Sequence, residues 1–181
     1  MDKLYSETVK NILERRTVRS FTDEELTDGE IDALLECAMW APSARNKQPC
    51  HVRVLTGKDR LDELNTDFKN LVGWDTPAYT RYDVNPVYQT APALFLIYAE
   101  NDSALDGGIM VENIAIAAEG MGLGSCIIGS IGALLNDEAG KKWKKLAGIP
   151  EDWKFIISIA VGHKNETPDK KPRTAENFRK I

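Results

Sequence analysis

Residues 92–100, PALFLIYAE, carry one of the two longest apolar runs in the chain. A run of this length between turn-forming residues predicts a β-strand that is covered on both faces. KFIISIAVG at 154–162 predicts a second buried strand, HVRVLTG at 51–57 alternates as a half-buried strand does, and GSCIIGSIG at 124–132 predicts a short strand and a turn. A sheet built from such strands needs helices to cover it.

Helical patterns precede and separate these strands. Residues 7–16 carry apolar side chains on one face, and TDGE at 27–30 has the form of a capping box, which predicts a helix that starts there. The helix predicted at 106–121 is apolar almost all round, so we expect it to be buried on several sides, within its own domain or against a partner chain. NDEAGKKWKKLAGIP at 136–150 predicts one amphipathic helix with acidic residues first and lysines last.

The order of predicted elements is helix, helix, strand, helix, strand, helix, strand, helix, strand and a polar tail. We therefore expect one domain over residues 1–181, of the α+β class with α/β/α layers, in which helices flank a mixed central sheet.

Composition excludes several classes of protein. The chain has 181 residues, a formal net charge of −5, 43% hydrophobic and 28% charged residues. This is ordinary globular composition, and its acidic balance argues against nucleic-acid binding, which needs a basic surface. Three separated cysteines and two separated histidines give neither a disulfide framework nor a zinc-ligand spacing, so we expect no metal. The polar start MDKLYSETVK is unlike a signal peptide and no apolar run reaches spanning length, so we expect a cytoplasmic protein without a membrane partner.

Familiar catalytic motifs are excluded by spacing. The glycines of GMGLGSCIIG at 120–129 fit neither the dinucleotide fingerprint nor a P-loop, and Ser130 lies in GSIG rather than in a nucleophile elbow. Cys50 and His51 are neighbours, whereas a catalytic Cys–His pair normally comes from distant segments. The sequence therefore indicates no acid–base or nucleophilic machinery of its own.

An arginine cluster stands out in this acidic chain. ERRTVRSF at 14–21 places Arg15, Arg16 and Arg19 within five positions. Cations at a helix end complement its dipole by ~0.3–1 kcal/mol each, whereas guanidinium groups also bind phosphate oxygens in pairs. On this stretch alone both interpretations stay open.

Two more segments carry side chains suited to a polar ligand. PSARNKQP at 42–49 contains Asn46 and Gln48, whose amides match the alternating donors and acceptors of a heteroaromatic edge, or simply form a polar turn after Pro42. KPR at 171–173 adds a basic pair in the tail.

In this order, the three segments together with the glycine-containing segment resemble the FMN-dependent nitroreductase family, whose members show RRSxRxF, PSxxNxQPW, a glycine-containing segment and a C-terminal basic pair. The resemblance covers nearly the whole chain and implies a nitroreductase-like fold of the obligate-dimer type, with two FMN sites at the interface of a homodimer. It also implies cofactor-binding roles in four groups. These are Arg15, Arg16, Thr17 and Arg19 at the phosphate and ribityl chain, Pro42, Ser43, Ala44 and Asn46 with Gln48 nearby at the partner's flavin, Ile128 and Gly129 at flavin N5, and Lys171 and Arg173 closing on the phosphate.

The chain departs from the family pattern at several places. Thr17 replaces the usual serine but keeps its hydroxyl, Cys50 stands where tryptophan is frequent, and Ile128 stands where several members carry an acidic residue. The loop at 73–90 matches no family motif. Its aromatic residues indicate one of two roles: the loop is a lid over the flavin, or the rings anchor the loop to the core. They are Trp74, Tyr79, Tyr82 and Tyr88.

The resemblance implies an oxidoreductase that transfers hydride from NADH or NADPH through flavin N5 to an electron-poor acceptor such as a nitroaromatic or a quinone, with ping-pong kinetics. The flavin carries the redox chemistry, so no catalytic side chain is expected. Two other functions stay open: a non-catalytic protein that stores or delivers FMN, and an RNA- or phosphoprotein-binding module built on the arginine cluster. The net negative charge weighs against the second.

Overall fold

The computed structural model describes residues 6–75 and 86–180, and the main helices and strands within these ranges follow the predicted order. The α-helices are α1 (Glu7–Glu14), α2 (Asp28–Met39), α3 (Lys58–Val72), α4 (Ala104–Gly120), α5 (Gly132–Leu135) and α6 (Lys141–Leu146). The strands are β1 (Cys50–Thr56), β2 (Ala93–Ala99), β3 (Leu123–Ile128) and β4 (Lys154–His163). Short 3₁₀ turns lie at Ala44–Asn46, Glu138–Gly140 and Ala175–Asn177.

The four strands form one sheet in the order β1-β2-β4-β3. All three neighbouring pairs are antiparallel, whereas we expected a mixed sheet. In the described ranges, parallel pairing is limited to one isolated bridge between Thr17 and Ser125. The two most apolar strands, β2 and β4, occupy the centre of the sheet, which explains why every residue of β2 is buried.

The sheet separates two apolar layers, as the α/β/α prediction required. Leu94, Leu96 and Tyr98 of β2 pack in a cluster with side chains of α3, α5 and α6. Phe95 and Ile97 alternate with them and pack on the opposite side with side chains of α2 and α4. Complete burial of such a side chain contributes about 1.5–3 kcal/mol, so β2 holds the two layers together.

The capping box predicts the start of α2 correctly. The Thr27 hydroxyl accepts the Glu30 backbone N–H at 3.2 Å, and the Thr27 backbone N–H donates to the Glu30 carboxylate at 2.7 Å. From this fixed start the helix directs Leu34 and Ala38 into the core.

The prediction of one amphipathic helix at 136–150 is wrong. The segment starts just after α5 ends, and it contains a 3₁₀ turn and the short helix α6. The Asn136 side chain pairs with the backbone of Phe155 in β4, accepting its N–H at 2.8 Å and donating to its carbonyl at 2.9 Å. Lys144, one of the lysines of that segment, is buried and donates to the carbonyls of Glu151 and Trp153. Long-range contacts thus override the local helical pattern.

An apolar surface remains around α1, α2 and α4. In α4, Val111, Ile114, Ala115 and Ala118 are buried, but Leu105 is 78% exposed. No residue of α1 is buried, and Ile12 and Leu13 are about half exposed. Near the end of α2, Met39 and Trp40 are 63% and 75% exposed. Both α1 and α2 contact α4, so these exposed side chains belong to three helices that pack on one another.

The aromatic loop is described only at its two ends. Tyr79 and Tyr82 lie outside the described residues. Trp74 is half exposed, whereas Tyr88 is buried and its hydroxyl donates to Asp62. Tyr88 therefore anchors its end of the loop to α3.

Within the described ranges, no helix has the length and apolar character needed to span a membrane, and no cluster of side chains is suited to a metal ion.

Candidate functional site

The arginine cluster begins where α1 ends. The Arg15 backbone N–H donates to the Asn11 carbonyl at 2.8 Å and closes the last turn of the helix. The Arg16 guanidinium donates through Nη1 to the carbonyls of Leu13 at 2.9 Å and Arg15 at 2.7 Å. Arg16 thus satisfies the Leu13 carbonyl, one of those that the end of an α-helix leaves unpaired.

The next residues of the cluster are attached to the edge of the sheet. Thr17 bridges Ser125 of β3, and the Val18 N–H donates to the Ser125 carbonyl at 2.9 Å. Val18 is buried, and it approaches β3 at Gly124, where an added Cβ would lie 2.9 Å from Val18 Cγ1. The absence of a side chain at Gly124 lets the arginine segment lie directly on the strand.

The tail after β4 pairs with the other end of the same segment. The Thr22 N–H donates to the His163 carbonyl and the Asn165 N–H to the Ser20 carbonyl, both at 3.0 Å. The Glu166 carboxylate then accepts the backbone N–H groups of Arg19 and Ser20. Residues about 145 positions apart in the chain are thereby held side by side.

A cavity of about 110 Å³ opens between these two segments. Five cationic residues line it, together with one threonine, one proline and one aspartate. They are Arg15, Arg16, Thr17, Arg19, Pro168, Asp169, Lys171 and Arg173. Charge-assisted hydrogen bonds from guanidinium and ammonium groups are the strongest that proteins make to phosphate oxygens, so this cavity is suited to a phosphate-sized dianion.

The charges of the arginine cluster act on a cysteine of β3. Burial raises the pKa of the Cys126 thiol on β3, and the positive charges of Arg19 and Arg15 oppose that rise. The negative charge of Glu166 acts in the same direction as burial. Arg15, Arg19 and Glu166 therefore all lie within electrostatic reach of the middle of β3.

The segment at 42–49, also predicted to bind the cofactor, lies away from the arginine cavity. Its loop has left-handed backbone at Arg45, Asn46 and Gln48 and is closed by the Gln48 N–H, which donates to the Ser43 hydroxyl at 2.9 Å. Pro42, Ser43 and Gln48 line a different cavity of about 320 Å³, between the end of α2, β1 and α4. Ala44 and Asn46 are exposed. No lining residue of this cavity lines the arginine cavity, so one chain does not bring the two segments together.

The glycine segment lies at the far end of β3. Ile128 is the last residue of the strand and is buried, with its carbonyl accepting the Ser158 hydroxyl at 2.7 Å. Gly129 follows and is exposed. Ile128 is three residues beyond Ser125, which corresponds to roughly 10 Å along an extended strand. The arginine segment and Ile128 thus lie at different points along one strand.

Three residues at the arginine cavity escape sequence analysis. Pro168 and Asp169 line it, and Glu166 fixes the backbone of the arginine segment. In the sequence they belong to a polar tail without periodicity, HKNETPDKKPR, and nothing local distinguishes them from solvated residues. The nearby basic pair is the one feature of that tail that pointed to a site.

Comparison with known proteins agrees with this architecture. The family model described as the Nitroreductase family matches residues 12–163. The NADPH-flavin oxidoreductase of Vibrio harveyi is 30% identical over 176 residues, which cover 92% of this chain and 69% of that protein. The FMN reductase (NADPH) of Bacillus subtilis is 29% identical over 182 residues, with 92% and 69% coverage.

Solved structures give the same result. The crystal structure of a nitroreductase with bound FMN from Desulfitobacterium hafniense superposes with a TM-score of 0.88 at 26% identity, covering 98% of this chain and 100% of that one. The match spans helices, sheet and tail alike. The chain therefore belongs to the nitroreductase family.

Proposed function

We propose that this protein is an FMN-dependent oxidoreductase that uses NADH or NADPH to reduce an electron-poor acceptor of the nitroaromatic or quinone class. One observation carries the proposal: Arg15, Arg16 and Arg19 meet Lys171 and Arg173 around a single cavity. The similarity to flavin reductases and to an FMN-bound nitroreductase supports it. When bound, FMN supplies the hydride transfer between the nicotinamide and the acceptor.

The donor set fits the phosphate of FMN. A phosphate monoester carries nearly two negative charges at neutral pH, and hydrogen bonds to charged groups contribute ~1.5–3 kcal/mol each. The five cations of the cavity exceed that charge, and Asp169 in its lining partly offsets the excess. The Thr17 hydroxyl adds a neutral donor beside them.

The course of β3 supports the placement of the flavin ring. The phosphate cavity adjoins Thr17, which contacts β3 at Ser125, and Ile128 and Gly129 lie at the end of that strand. An extended ribityl chain is comparable in length to this separation of roughly 10 Å along the strand. The backbone of Ile128 and Gly129 would then orient the reactive edge of the ring, where N–H donors stabilise negative charge.

We further propose a homodimer in which Pro42, Ser43, Ala44, Asn46 and Gln48 complete the flavin site of the partner subunit. Within one chain this segment lies in a cavity separate from the arginine cavity. The exposed apolar side chains of α1, the end of α2 and α4 provide a surface that a second copy can cover.

An absorbance spectrum tests the redox function. The purified protein should bind FMN and be yellow, and anaerobic addition of NADH or NADPH should bleach the flavin within seconds to minutes. A nitroaromatic or quinone should then restore the colour. A protein that only stores FMN would stay yellow after the nicotinamide is added, and that result would overturn the enzymatic proposal.

Sedimentation tests the dimer. The chain mass is 20.2 kDa, so the FMN complex should sediment at about twice that mass. A monomer that retains FMN with full affinity would remove the role of residues 42–48 at a partner's site.

A further inference from the structure

We infer that Glu166 is a positioning residue for the cofactor phosphate: it holds the tail against the arginine segment, so that Lys171 and Arg173 close on the same anion as Arg15 and Arg19. This inference rests on the proposed function, because it assigns a role at the FMN site. A carboxylate beside an anion-binding cavity is electrostatically unfavourable, so its presence there requires an explanation.

The hydrogen bonds of Glu166 provide that explanation. One carboxylate oxygen accepts the backbone N–H of Arg19 and also that of Ser20, the latter at 3.1 Å. Both donors belong to the arginine segment, and the acceptor belongs to the tail. Glu166 therefore orients the backbone from which the Arg19 side chain projects.

Glu166 also lies at a transition in the tail. From His163 to Glu166 the tail is joined to residues 19–22 by backbone and side-chain hydrogen bonds. Farther along, Arg173 donates to the Lys171 carbonyl, and the N–H groups of Asn177 and Phe178 donate to carbonyls of the tail itself. Pro168, Asp169, Lys171 and Arg173 line the cavity immediately after this transition. The attachment at Glu166 is thus the last of these before the basic pair, and we expect it to determine where Lys171 and Arg173 lie.

Glu166 carries a negative charge and also accepts two hydrogen bonds. Two substitutions separate these properties and should have opposite effects on phosphate binding. Glu166→Gln keeps an oxygen that can accept both N–H groups and removes a negative charge beside the phosphate. Glu166→Ala removes the charge and also the acceptor, which leaves the tail without this attachment. If Glu166 acts by position, Gln preserves or strengthens binding of the phosphate and Ala weakens it.

The experiment compares the affinities of the apoprotein for FMN and riboflavin, measured by quenching of flavin fluorescence. Riboflavin lacks the phosphate, so the ratio of the two dissociation constants isolates the phosphate contacts. Glu166→Ala should weaken FMN binding at least tenfold and change riboflavin binding less than twofold. Glu166→Gln should bind FMN within threefold of wild type or more tightly. Glu176→Ala is the matched control, since it removes one negative charge from an exposed position of the same tail without removing the attachment, and it should not weaken FMN binding.

A second measurement follows the tail itself. Trypsin cleavage after Lys170 and Arg173 should be several-fold faster in Glu166→Ala than in wild type or in Glu166→Gln. Equal FMN-to-riboflavin ratios in wild type and Glu166→Ala, or equal weakening by Ala and Gln, would overturn the inference while leaving the FMN proposal in place. Failure of the wild-type protein to bind FMN would instead overturn both.

Discussion

Gly124→Ala provides the sharpest test of how the sheet positions the arginine cluster. An added Cβ would lie 2.9 Å from Val18 Cγ1 and 3.0 Å from both Val18 Cβ and Lys164 Cγ. Ordinary van der Waals contact begins at about 3.4 Å, so Val18 or β3 must move by about half an ångström. The Val18 side chain is 1% exposed and its backbone N–H is bonded to the Ser125 carbonyl, so the residue cannot move away from β3 without weakening its packing or that hydrogen bond.

The expected magnitude follows from this crowding. Overpacking a filled core costs about 1–3 kcal/mol. In a domain of this size 1 kcal/mol shifts the Tm by about 2–4 °C, so we expect Gly124→Ala to lower the Tm by about 2–12 °C. Because Val18 lies between Thr17 and Arg19, FMN affinity should fall as well, by about threefold or more.

Thermal unfolding and FMN titration measure the two effects, with Gly29→Ala as the control. Gly29 lies in α2, and a Cβ added there meets nothing within 4 Å, so that variant should match or exceed the stability of wild type. Val18→Ala combined with Gly124→Ala should lose less stability than the sum of the single changes, because it restores the missing space. An unchanged Tm for Gly124→Ala, or a lowered Tm with unchanged FMN affinity, would refute the reasoning.

Three further predictions concern single residues. Arg19→Ala should weaken FMN binding about tenfold while the protein stays folded, since its backbone N–H can still donate to Glu166; wild-type affinity would remove Arg19 from the site. Gly140→Ala should destabilise the fold by about 3 kcal/mol in urea unfolding, because its Cβ would lie 2.1 Å from the Leu134 carbonyl oxygen; wild-type stability would contradict this. Burial, with Asp106 nearby, raises the pKa of Cys50 to about 11. At pH 8 it should therefore carry ~100-fold less thiolate than an unperturbed cysteine, and mass spectrometry should show slower alkylation by iodoacetamide than at the half-buried Cys37.

Much of the fold could be predicted because its signals are local. The apolar run of β2 and the capping box at Thr27 each combine residue types that are close in sequence, and both predictions are confirmed. The division of 136–150 could not be predicted, because it depends on the pairing of Asn136 with Phe155, which comes from another strand. Antiparallel pairing throughout the sheet likewise depends on which strands meet, and apolar runs do not encode that.

At the candidate site, too, some residues could be predicted from local sequence and others could not. The arginines were visible as a cluster, and the resemblance to a family joined them to the basic pair of the tail. Glu166 was not visible, because a single glutamate in a polar tail has no distinguishing pattern. Its role depends on two backbone N–H groups that only the folded chain brings near.

The pairing of residues 15–22 with residues 163–173 also constrains the order of events during synthesis. The arginines leave the ribosome early, but their partners are translated only after nearly all of the sheet. Closing so long a loop costs conformational entropy that later contacts must offset. Because β4 joins β2 to β3 and directly precedes this tail, the sheet and the arginine cavity are completed at nearly the same stage of synthesis. Interrupted chains should therefore neither complete the sheet nor bind FMN.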